Sequence, residues 1–319
     1  MQPRVLLIDD FHPALENGLN AAGFVVVDAR DCGSSVSEII ALIQEQKPQG
    51  LMVRSKCFVG QEILSAYDGL QWVGRGGAGM DNIDESAAKS VDIHCFNAGE
   101  ANSDAVGEHT LAMLLGLFTQ LVKSHAEILE GRWDREGNRG LELRGRTVGI
   151  LGYGNTGTAV AKKLAGFGVR VIAHDRYKHG FGNEFVEEVS EELLLTASDV
   201  LTLHVPLTDE TKNWLNEDRL ALMKSQFWLL NLSRGGVLDL SLVLRELTAH
   251  RIQGFAADVL SMEPPFQGDL AFMEIFNGLR KNNRVILSPH VGGWTVESYQ
   301  KISEVLLDKV LKLYDIPNA

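Results

Sequence analysis

The most legible chemistry lies in a glycine-spaced hexapeptide, Gly152-Tyr153-Gly154-Asn155-Thr156-Gly157, and in Asp175, which stands 21 residues beyond Gly154. Each glycine has its own task. Gly152 permits a tight turn, Gly154 lets the backbone approach a pyrophosphate, and Gly157 lets a helix pack closely on a strand. The amides of Asn155 and Thr156 would open that helix, where aligned peptide dipoles favour an anion. A carboxylate at the distance of Asp175 meets the hydroxyls of an adenosine ribose. The pattern therefore predicts a dinucleotide site that takes NAD in preference to NADP, since a 2′-phosphate would meet a like charge. Arg176 pulls the other way, because it can pair with a phosphate. A glycine-rich turn that binds nothing is the alternative, and among 32 glycines the hexapeptide alone would not decide.

The surrounding elements decide it. An apolar run at residues 147–151 precedes the loop, a helical stretch at 159–164 follows, and a second strand at 170–174 ends beside Asp175. Similar runs recur at 200–203, 228–231, 255–257 and 285–287, and an earlier series lies at 5–8, 25–27, 51–53, 72–73 and 93–96. Buried parallel strands read as continuous apolar runs of this kind. Their alternation with amphipathic stretches, such as residues 37–46, predicts an α/β protein with parallel sheets. Between the two series, Leu111, Leu114, Leu115, Phe118 and Leu121 give an apolar stripe that predicts one long helix over 103–130. Residues 131–146 are polar and glycine-rich and read as a loop or arm, and residues 296–314 read as a closing helix.

The length of 319 residues suits two domains, and 45% hydrophobic with 23% charged residues supports a large core. A net charge of -12 argues against a general nucleic-acid binder. The three cysteines, Cys32, Cys57 and Cys95, form no paired motif, so a reduced, cytoplasmic setting is expected. The N-terminus runs directly into a strand pattern, and no leader is expected. The most apolar stretch, residues 110–122, is too short to span a bilayer, so no membrane partner is expected. No residues have metal-ligand spacing.

Five further segments resemble one family. They are Val53-Arg54-Ser55, then Val73-Gly74-Arg75-Gly76-Gly77-Ala78-Gly79-Met80-Asp81-Asn82-Ile83-Asp84, then Asn231-Leu232-Ser233-Arg234-Gly235-Gly236-Val237-Leu238-Asp239, then Asp258 through Glu263-Pro264-Pro265, and last Ser288-Pro289-His290-Val291-Gly292-Gly293. In type and order they resemble the D-isomer-specific 2-hydroxyacid dehydrogenases, from about Leu6 to the end of the chain. The resemblance implies two doubly wound parallel-sheet domains. A Rossmann NAD-binding domain would occupy residues 99–289, and a discontinuous, flavodoxin-like substrate domain residues 1–98 and 290–319. It also implies a homodimer formed through the cofactor domain.

The resemblance implies Arg234, Glu263 and His290 as the catalytic set, and chemistry supports the choice. Oxidising an alcohol needs a base for the hydroxyl proton while hydride leaves the same carbon, and histidine serves in both directions near neutrality. A carboxylate on the far ring nitrogen orients the ring and favours imidazolium, the part given to Glu263. An arginine offers a planar fork for the substrate carboxylate, the part given to Arg234. Singly, each is more often a surface or structural residue. Their common position, each just after an apolar run, gives the set its weight. The remaining histidines, among them His12, His94, His109, His125 and His250, lack such company and read as structural or solvated.

The same resemblance extends the cofactor site to His204, Val205, Pro206 and Thr211, and to Leu232, Ser233 and Arg234. It adds Asp258, His290, Gly292 and Gly293. The implied substrate residues are Arg54, Ser55, Gly76, Gly77 and Asn102 together with Arg234 and His290. With Lys56, Arg75 and the amides of Gly76 and Gly77, Arg54 suits an anionic head group. The leading expected substrate is therefore D-3-phosphoglycerate, although no appended regulatory domain is expected past Ala319. The alternatives are a glyoxylate, hydroxypyruvate or D-lactate reductase of the same family and, in another class, an NAD-sensing corepressor-like binding protein. Glu263 stands where a formate dehydrogenase would carry glutamine. The sequence departs from the family pattern at Gly99, at Gly107 and at Trp294, a position usually held by a small residue.

Overall fold

Short apolar runs become strands in both halves of the chain. The computed structural model describes residues 2–317; Met1, Asn318 and Ala319, the outermost residues of the expected substrate domain, lie outside the described residues. Two compact units result, Met1–Asn102 with Trp294–Ala319, and Ser103–Gly293.

The first unit runs β1 (Arg4–Leu7), α1 (Pro13–Ala21), β2 (Val25–Asp28), α2 (Val36–Gln46), β3 (Gly50–Val53), α3 (Gln61–Leu64), β4 (Trp72–Arg75), α4 (Glu85–Ser90) and β5 (His94–Asn97). Its strands are parallel, in the order β2-β1-β3-β4-β5, the flavodoxin-like arrangement. Both faces are covered, and the strands alternate between them. Leu6, Leu51, Val53 and Val73 pack with Ile39, Ile43 and Ile63. Val5, Leu7, Met52 and Trp72 pack with Leu15 and Leu19 on the opposite side. The two-residue period of a strand makes that division.

The second unit opens with α5 (Ser103–Phe118) and α6 (Leu121–Leu129). It continues through β6 (Thr147–Leu151), α7 (Asn155–Leu164), β7 (Arg170–His174), β8 (Glu187–Glu188), α8 (Glu191–Ala197), β9 (Val200–Leu203), α9 (Glu217–Leu222), β10 (Phe227–Asn231), α10 (Leu240–Thr248), β11 (Ile252–Ala257), α11 (Leu270–Arg280) and β12 (Val285–Leu287). The sheet order is β12-β11-β10-β9-β6-β7-β8, all parallel. The winding direction therefore reverses between β6 and β9, and open α/β sheets bind ligands at the carboxyl ends of the strands at such a point. The chain then returns to the first unit as α12 (Val296–Leu313). The Thr295 and Ser298 side chains close a capping box at its start. Ile302, Leu306 and Val310 bury its inner face in the cluster that holds Leu15 and Leu19 of α1.

Three differences from the sequence-based reading have physical causes. The expected single helix over 103–130 is broken and bends by 65°. Gln120 is left-handed (φ 53°), and the carbonyl of Phe118 accepts from the Leu141 amide at 2.8 Å, so the returning arm takes a group that a continuing helix would use. The strand β8 went unread because it is two glutamates long. The crossovers between units also fall later than expected. Residues 99–102 belong to the first unit and 290–293 to the second. Ala101 is buried in the first unit's core, and Lys309 of α12 reaches Glu100 at 2.7 Å. Asp258, in turn, holds the backbone of His290, Val291 and Gly292. Among the described residues no single helix is long and apolar enough to cross a membrane.

Candidate active site

The glycine loop leaves the end of β6 at the point where the winding reverses. A methyl group on Gly157 would fall 2.0 Å from the Gly152 carbonyl oxygen, so the turn closes only around a bare α-carbon. A methyl on Gly154 would meet nothing within 4 Å, so the loop has open space on the side where Gly154 faces. Gly154 is also the N-cap of α7, with no side chain capping it. An uncapped helix start beside open space suits a pyrophosphate, whose oxygens accept from first-turn amides such as those of Asn155 and Thr156.

Asp175 follows β7 and is held by three amides. Its Oδ2 accepts from Tyr153 N at 2.8 Å, and its Oδ1 from Tyr177 N at 2.9 Å and Lys178 N at 3.0 Å. Burial pulls its carboxyl upward, but these amides and the neighbouring His174 outweigh it and hold the group below the usual carboxylate range. Arg176 pairs with Glu210 at 3.4 Å, and the Tyr177 hydroxyl donates to the same carboxylate. The cation that sequence alone left open to a phosphate therefore already has an acidic partner.

The other expected cofactor residues of this unit also follow strands. His204, Val205 and Pro206 come directly after β9, and Leu232, Ser233 and Arg234 after β10. Asp258 follows β11, and His290, Gly292 and Gly293 follow β12. In a parallel sheet these positions share one edge. The His204 ring is turned inward. Its Nε2 lies 2.9 Å from the Thr202 hydroxyl, its Nδ1 is buried without a partner, and burial pushes its pKa down to about 3, so the ring is neutral. Thr211 is occupied within its own turn, donating to the Pro206 carbonyl at 2.6 Å.

Arg234, Glu263 and His290 come together at the same edge. His290 Nδ1 and Glu263 Oε2 are 2.6 Å apart, and the other carboxylate oxygen accepts from Leu260 N at 2.8 Å. Burial raises the Glu263 carboxyl, but the hydrogen bond from His290, the Leu260 amide and the charges of His290 and Arg234 outweigh it and hold it below the ordinary range. Glu263 is thus a carboxylate, and a carboxylate only accepts, so His290 Nδ1 carries the proton. The other ring nitrogen, Nε2, is the one left for chemistry. Arg234 Nη1 donates to the Ser233 carbonyl at 2.7 Å. The loop that carries it is pinned by Asn231, whose Nδ2 donates to the Arg234 carbonyl at 2.9 Å and whose Oδ1 accepts from Ser233. The sequence marks Asn231 as the end of a strand and the first residue of the arginine-bearing segment, without the pinning role that the fold gives it.

In the first unit, Arg54 and Ser55 follow β3, and Gly76 and Gly77 follow the adjacent β4. Three donors of the anion cradle expected there are taken up within the fold. Gly76 N donates to the Val53 carbonyl at 2.7 Å and Gly77 N to the Arg75 carbonyl at 3.0 Å. Lys56 Nζ donates to the carbonyls of Arg30 and Cys32, at 2.5 and 3.0 Å. All of these donors satisfy the backbone of their own unit. The Arg54 guanidinium lies 4.0 Å from the centre of the Trp294 ring and donates to the Asp10 carbonyl at 3.2 Å. The departure from a small residue at Trp294 thus supplies a cation–π shelf for Arg54. The side-chain oxygen of Asn102 is buried without a hydrogen-bond partner. No cluster of metal-ligating side chains occurs among the described residues.

Comparison with known proteins agrees with this arrangement. The family model described as D-isomer specific 2-hydroxyacid dehydrogenase, NAD binding domain, matches residues 111–292. A hydroxypyruvate reductase of Thermotoga maritima is 32% identical over 262 residues, covering 82% of this chain and 83% of its own. A D-3-phosphoglycerate dehydrogenase of Methanocaldococcus jannaschii is 30% identical over 315 residues, 97% of this chain but 57% of its own, so the chain spans little more than half of that relative. The crystal structure of a D-lactate dehydrogenase from Aquifex aeolicus, complexed with NAD and lactic acid, matches with a TM-score of 0.84 at 25% identity, over 98% of this chain and 95% of that one. The glycine loop, the His290–Glu263 pair and the family match converge, and the chain belongs to the D-isomer-specific 2-hydroxyacid dehydrogenases.

Proposed function

We propose that the protein reduces a small 2-oxo acid to the D-2-hydroxy acid with NADH, and runs the reverse oxidation with NAD. The observation that carries this reading is the 2.6 Å pair of His290 and Glu263 at the ligand-binding edge of a sheet whose switch point bears the glycine loop. When bound, the nicotinamide supplies the hydride to C2. Arg234 holds the substrate carboxylate in its fork and polarises the C2 oxygen. His290 Nε2 delivers the proton to that oxygen, and Glu263 stabilises the imidazolium that must exist before delivery. Arg54, Ser55 and Asn102, implied by the family resemblance, are proposed as substrate-binding residues, with Gly76 and Gly77, whose amides are committed, offering only close approach of the backbone.

Among substrates, we favour hydroxypyruvate and glyoxylate over the phosphorylated acid expected from sequence. Of the donors expected for a phosphate, Lys56 and the amides of Gly76 and Gly77 are committed within the fold, which leaves the guanidiniums of Arg54 and Arg75 to hold such a group. NADH consumption with glyoxylate, hydroxypyruvate, pyruvate and 3-phosphohydroxypyruvate tests both levels. Turnover of the first two above the phosphorylated acid is the expected result. Preference for 3-phosphohydroxypyruvate would restore the phosphoglycerate reading, and no turnover of any acid would favour an NAD-sensing binding protein.

A homodimer through the second unit is part of the proposal. Supporting it, α6 and the arm after it expose Leu121, Leu129 and Trp133, at 63%, 74% and 81%. Apolar surface of that kind marks an interaction face. Sedimentation should give twice the 35.0 kDa chain mass, and a monomer at micromolar concentration would refute the dimer. A cytoplasmic setting is proposed too, supported by the unpaired thiols of Cys32, Cys57 and Cys95.

A further inference from the structure

We infer that His109 and Ser288 are positioning residues for the acid–base histidine. The inference rests on the proposed role of His290. His290 has a left-handed backbone (φ 56°), a conformation that a non-glycine residue keeps only when its surroundings impose it. Asp258, at 3% exposure, is the group that imposes it. Its carbonyl accepts from His290 N at 2.9 Å. Its Oδ1 accepts from Val291 N at 2.9 Å and its Oδ2 from Gly292 N at 2.7 Å. Three successive amides thus converge on one residue.

Asp258 must itself be aimed, and a chain of hydrogen bonds from α5 does so. Ser288 Oγ donates to Asp258 Oδ1 at 2.5 Å, and His109 Nε2 lies 2.9 Å from the same hydroxyl. A serine has a single hydroxyl proton, and a carboxylate can only accept. The proton of Ser288 therefore goes to Asp258, and His109 Nε2 must be a donor. The direction is fixed from His109 through Ser288 to Asp258. The ring of His109 also packs against the segment it steadies. A methyl on Gly292 would stand 3.3 Å from His109 Cδ2 and 2.8 Å from Asp258 Oδ2, so ring, carboxylate and turn are in close register. Loss of the His109 donor leaves Ser288 free to rotate, Asp258 free to swing, and the left-handed turn less determined. His290 then points less well, though its own side chain and Glu263 are intact.

Four variants test this: His109→Leu and His109→Gln, Ser288→Ala and Ser288→Thr. Glutamine keeps an N–H donor at nearly the reach of Nε2, and threonine keeps the hydroxyl. With hydroxypyruvate and NADH, His109→Leu and Ser288→Ala should lose about 10- to 100-fold in kcat, the cost of a small misplacement of a reacting group. NADH affinity, followed by fluorescence, should fall by much less than kcat, because the glycine loop and Asp175 are untouched and only the Asp258 turn of the expected cofactor site is loosened. His109→Gln and Ser288→Thr should recover most of the rate. An independent arm needs no substrate. The downfield imidazole N–H proton of His290, assigned by its loss in His290→Gln, should shift or broaden in His109→Leu and stay in place in His109→Gln. If His109→Leu does not fold by thermal melting, Ser288→Ala, which removes one oxygen, decides. A kcat within twofold of wild type together with an unmoved His290 proton would overturn the inference. Absence of wild-type turnover on every 2-oxo acid would instead defeat the proposed function, while the proton signal would still report on the chain from His109.

Discussion

Replacing His290 by alanine is expected to lower kcat on 2-oxo acids by about 10²–10⁴, the range typical of a positioned acid–base group. NADH affinity should barely change, since the proposed dinucleotide site rests on the glycine loop and on Asp175. Glu263→Gln keeps the shape, and the amide oxygen can still accept from Leu260 N. What it removes is the negative charge beside the ring that stabilises the proton-delivering form, so kcat should fall while NADH affinity holds. On the acid side the signs are also fixed. Glu263 is held below the ordinary carboxylate range. Its interaction with His290 is therefore present above the unfolded value, roughly pH 4.3, and is lost only as pH falls through the depressed folded value. The double variant should be little worse than His290→Ala alone, because members of one catalytic unit are strongly non-additive. Arg234→Lys keeps the charge and loses the fork, so it should chiefly raise KM. Near-normal turnover by His290→Ala on every acid that the wild type reduces would remove the proposed mechanism at its centre.

The sequence was most legible where function depends on local backbone. The run from residue 147 to Asp175 sets strand, turn, helix and carboxylate by short-range rules, and the structure has the loop at the switch point of the sheet. The strand-end positions of Arg234, Glu263 and His290 were legible for the same reason, since apolar runs mark the strands that carry them. Their contact was not. Glu263 and His290 are 27 residues apart, and only the family resemblance joined them. Side-chain commitments were the least legible. Lys56 and the amides of Gly76 and Gly77 look like an anion cradle as a string, yet their partners are carbonyls of Arg30, Cys32, Val53 and Arg75, which only the folded backbone brings near. His109 read as structural or solvated because its partner Ser288 is 179 residues away. The break at Gln120 was hidden for a like reason. The apolar stripe runs through it, and the competitor for the Phe118 carbonyl arrives from Leu141.

Preference for NADH over NADPH by about 100-fold or more in kcat/KM is expected, because placing like charges together costs several kcal/mol. The case is stronger than the spacing of Asp175 alone. Three backbone amides and His174 keep its carboxyl ionised, and those amides use only part of its acceptor capacity, since a carboxylate offers about four lone-pair positions. A ribose hydroxyl can donate to what remains, whereas a 2′-phosphate meets a negative charge. Arg176 would have to leave Glu210 to offset that repulsion, and the Tyr177 hydroxyl holds Glu210 as well. Asp175→Ala removes the charge together with the three amide contacts. NADH use should therefore fall while NADPH use rises, and the ratio of the two should drop by about tenfold or more. Gly154→Ala separates binding from folding in the same assay. A methyl there meets no protein atom within 4 Å, so the melting temperature should hold, while the methyl fills space that the pyrophosphate would occupy and weakens NADH and NADPH alike. The ratio of the two cofactors then stays at its wild-type value in Gly154→Ala and collapses only in Asp175→Ala. Equal use of both cofactors by the wild type would show that Arg176 exchanges Glu210 for the phosphate, and Arg176→Ala should then restore discrimination.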